Sequence, residues 1–366
     1  MLRAPRSTLA GLGMLVITGC GGGDGGGDES SCGSATCSVD SDGGTSSATS
    51  GTTGEGGGSS TSSTGGEGGD PSTTSAGSTD GPTSSTGGEP AASPGCGKPP
   101  QHAAGGVQVE IDAGPAGDGV RGFFLSLPAN YDPNRAHRLI LGYPGTNWVG
   151  EQIQPYLDLE DGARGDEIFA YPDPLWRDFP GWGELGGWVL GPNADPADGD
   201  QDLVFTGALL DYMADTYCVD QTRVFATGHS WGGDMAMVAS CFLGDRLRAS
   251  VPVAANRPYW FEEDGGGLTS CTGNTAVWTM FGAADDHFTG QDHSGQYGDE
   301  CRDFWLAESG CAGVDQAVDL GLGAAMECVE YAGCTRPTRY CLYGAQFGHQ
   351  RPDYFPAESM KFFRSF

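Results

Sequence analysis

Positive charge is scarce in this sequence. Its 366 residues carry 18 Lys and Arg against 48 Asp and Glu, a formal net charge of −30. About ten of the acids fall before residue 96, so the remainder is acidic too. A surface of that sign repels polyphosphate and argues against nucleic acid as a partner. Solubility accounts for the charge.

Aromatic residues are missing from residues 21 to 95, which consist almost entirely of Gly, Ser, Thr, Asp, Glu and Ala. Such a stretch cannot bury enough apolar surface to offset the entropy of ordering it. This excludes a packed domain there and predicts a flexible tether, with a reach on the order of 50 Å. Every Trp, Tyr and Phe lies beyond it, within about 270 residues, the size of a single domain.

Long apolar runs are absent as well. "LAGLGMLVITG" (9–19) is too short to span a bilayer as a mature helix. It follows Arg3 and Arg6 and ends at Cys20, the pattern of a targeting segment. "ITGC" resembles the lipobox of bacterial lipoproteins. That resemblance implies cleavage before Cys20, lipidation of Cys20, and attachment to the membrane through this lipid alone. Gly21 after the Cys implies the outer membrane or cell surface. The expected division is a signal peptide at 1–19, a tether at 20–95 and a folded domain at 96–366, acting as a monomer.

Twelve Cys occur, but those from Cys96 to Cys341 form no C-x-x-C pairs. Scattered Cys in an exported chain argue for disulfides over a metal site. Setting Cys20 aside leaves eleven, so at least one thiol stays unpaired. Cys32 and Cys37 could close a small loop in the tether. Connectivity is not readable from spacing.

From residue 107 onward, short apolar runs alternate with segments of helical period. "VQVEI", "GFFLSLP", "HRLILGYPG", "RVFATG", "RASVPVAA", "TAVWTMFG" and "TRYCLYG" read as strands. Residues 202 to 217, "GDMAMVASCFL" and "ESMKFFRSF" read as helices. The alternation predicts an α/β fold, a mostly parallel sheet with helices on both faces. Sites in such sheets gather at the carboxyl ends of the strands.

"TGHSWGGDMA" (227–236) contains G-x-S-x-G between a predicted strand and a predicted helix. In that setting the motif acts as a nucleophile elbow. Ser230 is the candidate nucleophile, and Gly228 and Gly232 keep a crowded turn clear of side chains. The Trp231 N–H, at the helix start, is a candidate oxyanion donor. Acid and base should follow in the order Asp, His. Asp285 is the first carboxylate past "AVWTMFG", with Asp286 as its rival. His349, after the last strand, is the candidate base and His293 the runner-up. His287 lies too close to Asp285 in sequence to be oriented by it. The loop "DDHFTGQDHSGQYGDE" could hold a cation, but its ligand spacing is irregular. Thr146, in the loop after "LILGYPG", is the second candidate oxyanion donor.

Residues 96 to 366 resemble the exported esterases of the α/β-hydrolase superfamily that include feruloyl esterases, acetylxylan esterases and polyhydroxybutyrate depolymerases. The likeness lies in "GCGKPP", "LPANYDP", "CVDQTRVFATGHSWGGDMAMVASC", "FGAADD" and "CVEYAGCTRPTRYCLYGAQFGHQRP". Carried over by position, it implies Ser230, Asp285 and His349 as the catalytic residues. It also implies that several of Cys301, Cys311, Cys328, Cys334 and Cys341 are paired. Pro144-Gly145 and Phe281-Gly282 stand where that family usually has His-Gly.

Aromatic residues cluster in residues 171 to 191 and 257 to 264, both expected to be loops near the carboxyl edge. Trp182 and Trp188 are the candidate platform for an aromatic acyl group or a sugar ring. The expectation is a lipid-anchored serine esterase of carbohydrate-linked feruloyl or acetyl esters, using no metal or organic cofactor. The alternatives are a hydroxyalkanoate depolymerase, a binding lipoprotein on an inactive hydrolase fold, and, more weakly, a peptidase.

Overall fold

The chain divides into two units, Met1–Gly77 and Ser78–Phe366. The computed structural model describes residues 90–179, 181–191, 199–258, 271–285, 296–313, 317–323, 327–344 and 346–366, all in the second unit. The expectations for Cys20, Cys32, Cys37, the signal peptide and the tether up to residue 89 lie outside the described residues. So do those for Asp286, His287, His293 and residues 259 to 264.

Ten strands form one sheet. Six of them run parallel at its centre: β4 (Glu167–Pro172), β3 (His137–Tyr143), β7 (Val219–His229), β8 (Ala249–Val253), β9 (Ala276–Gly282) and β12 (Thr338–Tyr343). Antiparallel strands complete the edges. On one side they are β1 (Gly105–Asp112) and β2 (Val120–Leu127), on the other β10 (Ala317–Asp319) and β11 (Glu327–Tyr331). The order across the sheet is β1-β2-β4-β3-β7-β8-β9-β12-β11-β10.

The central strands are buried on both faces, which is why they read as unbroken apolar runs. Alternation sorts their side chains between two cores. Leu139, Leu141, Val224 and Ala226 face α2 (Gln201–Thr216), whose Phe205, Leu209 and Met213 are fully buried. Ile140, Phe225 and Val253 face the other way, toward α1 (Gly150–Leu157) and α5 (Phe355–Arg364). Helix α3 (Trp231–Phe242) adds Met235 and Val238 to the first core and Met237 and Cys241 to the second. Helix α4 (Gln296–Glu308) brings Phe304 and Trp305 to the second.

Residues 171 to 191 are not all loop. A two-stranded hairpin, β5 (Leu175–Phe179) with β6 (Gly183–Gly187), lies within them. Asp202, fully buried at the start of α2, holds it in place. Its carboxylate pairs with Arg177 at 3.1 Å, with the equally buried Arg121 at 2.7 Å, and accepts the Val189 N–H at 2.6 Å.

The described chain enters beside the amino end of β7. The Ala91 N–H donates to Asp220 Oδ1 at 3.1 Å, and the Gln221 N–H to the Ala91 carbonyl at 2.9 Å. The Cys96–Cys218 disulfide fixes the segment there. Three further disulfides join Cys241 to Cys271, Cys311 to Cys334 and Cys328 to Cys341. Among the described residues, Cys301 alone is outside a disulfide, and it is buried.

Candidate active site

Strand β7 delivers Ser230 to the carboxyl edge of the sheet, and α3 carries the chain away. The turn between them forces Ser230 to φ 58°, ψ −130°, a region that side-chain-bearing residues rarely adopt. The glycines on either side make this turn possible. A Cβ on Gly228 would stand 2.2 Å from the Gly232 carbonyl oxygen, and one on Gly232 would stand 2.2 Å from that of Tyr143. Gly233, which the motif does not demand, is equally confined, 2.8 Å from the Val253 oxygen.

Three side chains from three loops meet at this turn. Ser230 Oγ lies 2.8 Å from His349 Nε2, and His349 Nδ1 lies 2.9 Å from Asp285 Oδ2. Asp285 is fully buried, whereas about a third of the His349 side chain is exposed. This arrangement selects the tautomer in which Nδ1–H donates to Asp285 and Nε2 accepts from the serine hydroxyl. The two loops are laced together below the side chains. The Ala283 N–H donates to the Tyr343 carbonyl at 2.8 Å, and the Ala284 N–H to that of Phe347 at 2.9 Å. Gly282 is required here, because a Cβ would stand 2.3 Å from the Gly348 oxygen. Beyond the histidine, Arg351 bonds to α1. Its N–H donates to Tyr156 Oη at 3.0 Å, and its guanidinium reaches the Tyr156 carbonyl.

His229 adjoins Ser230. Burial and the neighbouring His349 pull its pKa down to about 3, so it is neutral at ordinary pH. Its ring packs 5.0 Å from Tyr156 and 4.9 Å from His349, centroid to centroid. Asp234, one turn into α3, was not anticipated. Its carboxylate accepts the Asn256 N–H at 2.6 Å, fastening the chain after β8 to the elbow. Burial pushes its pKa up to about 7. Its position in "GHSWGGD", four residues past Ser230, was a usable signal.

The loop after β3 lies directly against the elbow. A Cβ on Gly145 would be 3.3 Å from Ser230 Cβ. The N–H groups of Thr146 and Trp231 have no hydrogen-bond partner among the described residues. Trp231 itself is buried under the hairpin, 4.8 Å from Phe179 and 5.6 Å from Trp182 between ring centroids.

The two candidate platform tryptophans separate. Trp182 is 40% exposed beside Trp231. Trp188 is only 1% exposed, so the expectation that it faces substrate is corrected. Its indole N–H donates to the Pro144 carbonyl at 2.8 Å, and its ring meets Tyr143 edge-on at 5.4 Å. It supports the loop that carries Thr146 from beneath. Among the described residues, no cluster of three or more His, Cys, Asp or Glu could hold a metal ion.

No protein-family model matches the chain. It is 28% identical over 261 residues to feruloyl esterase C of Emericella nidulans, covering 69% of this chain and 82% of that protein. It is 28% identical over 271 residues to a probable feruloyl esterase C of Aspergillus niger, covering 71% and 87%. Among solved structures it is similar to an acetyl xylan esterase from Aspergillus awamori. The TM-score is 0.54 at 14% identity, covering 71% of this chain and all of that one. The fold is that of the α/β hydrolases.

In these terms the β5–β6 hairpin lies between the fourth strand of the main sheet and α2. The sheet keeps its parallel centre, and the elbow sits at the end of β7.

Proposed function

We propose that this chain is an exported serine hydrolase of carboxylic esters, acting on feruloyl or acetyl groups carried by plant-type polysaccharide. The observation that carries the reading is the continuous Ser230–His349–Asp285 hydrogen-bond line at 2.8 and 2.9 Å, ending on a serine held at positive φ. Similarity to the feruloyl esterases supports the choice of ester.

In this mechanism His349 Nε2 takes the hydroxyl proton as Ser230 Oγ bonds to the carbonyl carbon. Asp285 stabilises the imidazolium through Nδ1–H. The carbonyl oxygen becomes an oxyanion and is met by the Trp231 and Thr146 N–H groups. His349 then returns the proton to the leaving alcohol as the C–O bond breaks. Water, deprotonated by the same imidazole, attacks the acyl-serine, the acyl–Oγ bond breaks to release the acid, and His349 returns the proton to Ser230 Oγ. Trp182, exposed beside Trp231, would flank the acyl group.

The four disulfides support export, since such bonds persist in oxidising compartments. Lipid attachment at Cys20 completes the proposal. The deciding experiment treats the full chain and its Ser230→Ala variant with a fluorophosphonate probe and then with a panel of esters. The expected result is labelling of the wild type alone, with turnover of methyl ferulate or acetylated xylan. Absence of labelling would favour a binding protein on an inactive fold. A soluble hydroxybutyrate oligomer cleaved more than tenfold faster than both others would favour the polyester reading.

A further inference from the structure

Large apolar side chains rarely stand in water without a reason when they lie together. Among the described residues five do so, Val120, Trp148, Trp176, Trp182 and Val318. The two valines sit on opposite sides of the main sheet, Val120 on β2 and Val318 on the edge strand β10. The three tryptophans belong to two neighbouring pieces, the β5–β6 hairpin and the loop after β3. These pieces are joined by paired bonds, Asn147 N–H to the Gly186 carbonyl at 2.8 Å and Gly186 N–H to Asn147 Oδ1 at 2.9 Å.

The hairpin has two unlike faces. Phe179 and Gly187 face inward against Trp231. Trp176 and Asp178 alternate to the other face, where their partners across the strands are Gly186 and Glu184. The Trp176 ring lies across Gly186, since a Cβ on that glycine would be 3.3 Å from the indole. Trp176 is nevertheless 56% exposed, and Asp178 and Glu184 are exposed beside it. At the turn, Trp182 brings the aromatic surface edge-on to Trp231, the residue after Ser230.

We propose that this outer face, Trp176 with Asp178 and Glu184, together with Trp182 at the turn, docks the neutral polysaccharide chain from which the ester is removed. The proposal rests on the ester-hydrolase reading above and names the carrier that the same site engages. A sugar ring offers a flat C–H face and a rim of hydroxyls. An indole stacks on the first, and carboxylates accept hydrogen bonds from the second. Two acids on the face, in a chain of net charge −30, repel uronate polymers, nucleic acid and anionic lipid. The hairpin itself adjoins the nucleophile, since Trp182 at its turn meets Trp231 and Gly186 bonds to Asn147 beside Thr146, so a chain docked on it lies at the margin of the site. The buried Arg177–Asp202 pair and the Asn147–Gly186 bonds hold the face rigid, so little ordering is needed on binding.

The test uses the full chain with Trp176→Ala, Trp176→Phe and Asp178→Asn/Glu184→Gln. Each is assayed on methyl ferulate and on feruloylated or acetylated xylan. The same substitutions on a Ser230→Ala background are assayed by depletion onto insoluble xylan and onto polygalacturonate. Trp176→Ala should lower kcat/KM on the polymer at least tenfold more than on the small ester, chiefly through KM, and release the protein from xylan. Trp176→Phe, which keeps a flat ring, should retain most of both. Wild-type protein should not bind polygalacturonate. Parallel losses on both substrates, unchanged xylan binding, or equal binding to polygalacturonate would each overturn the proposal. So would a dimer abolished by Trp176→Ala while xylan binding persists. A wild type that binds xylan but cleaves no ester would refute the hydrolase reading and leave the docking face standing.

Discussion

Gly187 and Trp231 share one space: a methyl group on Gly187 would stand 2.5 Å from the indole ring. Trp231, the residue after Ser230, is thus positioned by a glycine in a hairpin that lies outside the main sheet. Gly187→Ala must move either the hairpin or the indole. Overpacking of this kind typically costs about 1–3 kcal/mol. Because Trp231 opens α3 directly after Ser230, kcat should fall by more than tenfold. Steady-state kinetics with thermal melting checks this. Normal kcat in a destabilised protein would dissociate the hairpin from the oxyanion site.

Ser230→Ala and His349→Ala should each abolish ester hydrolysis to a similar degree, because residues acting as one unit show non-additive losses. The double variant should be no worse than either. His293→Ala should cost under about tenfold. Stopped assays on contaminant-free protein measure all four, and an essential His293 would overturn the assignment.

Asp202 joins Arg121 of β2, Arg177 of β5 and the Val189 N–H, and neither it nor Arg121 is exposed at all. Removing one partner strands buried charge. Asp202→Ala should therefore cost about 3–5 kcal/mol. Urea unfolding at neutral pH measures it. A loss below about 1 kcal/mol would mean that water reaches the cluster.

Asp234 makes stability depend on pH. Its folded pKa is raised to about 7 from an ordinary carboxylate value of 3.8, because burial penalises the charge. Its contribution is therefore fully present below about pH 4 and is lost as pH rises through 7. Asp234→Asn keeps the acceptor for the Asn256 N–H and removes the charge. The variant should gain Tm relative to wild type between pH 5 and 8. A difference independent of pH over that range would refute the assignment.

Cys20→Ser should release the protein from the membrane fraction or leave its leader uncleaved. Mass spectrometry of the mature amino terminus decides. An unmodified terminus well inside the Gly-rich segment would end the lipoprotein reading.

Five of the six central strands could be read because strands buried on both faces leave continuous apolar runs, as "LILGY" and "AVWTMFG" do; β4, "EIFAYP", was not among the predicted strands. The elbow could be read because three separate needs coincide in "GHSWGG": a strand before, a helix after, and glycine where a Cβ has no room. The hairpin escaped for the opposite reason. Only one of its faces is buried, and its second strand is "GELGG", which has almost no side chains to carry a pattern. Trp188 was misread because an indole in a Gly-rich stretch looks the same whether it stacks on substrate or donates to Pro144. Helix α1 was hidden by Pro155 and an early Gly, and α4 by its polar residues. Disulfide partners could not be paired, since Cys96 meets Cys218 across 122 residues.

The chain enters the fold at the amino end of β7, and Ser230 stands at the other end of the same eleven-residue strand. At about 3.3 Å per residue the two points are on the order of 30 Å apart. A protein joined ahead of residue 90 would therefore attach at the opposite end of β7 from Ser230. A pull on the chain at residue 90 is met first by the bonds of Ala91 to Asp220 and Gln221 and then by the Cys96–Cys218 bridge, all at the end of β7 away from Ser230. Changing the length of the chain ahead of residue 90, or joining another protein there, should leave turnover of a small dissolved ester untouched.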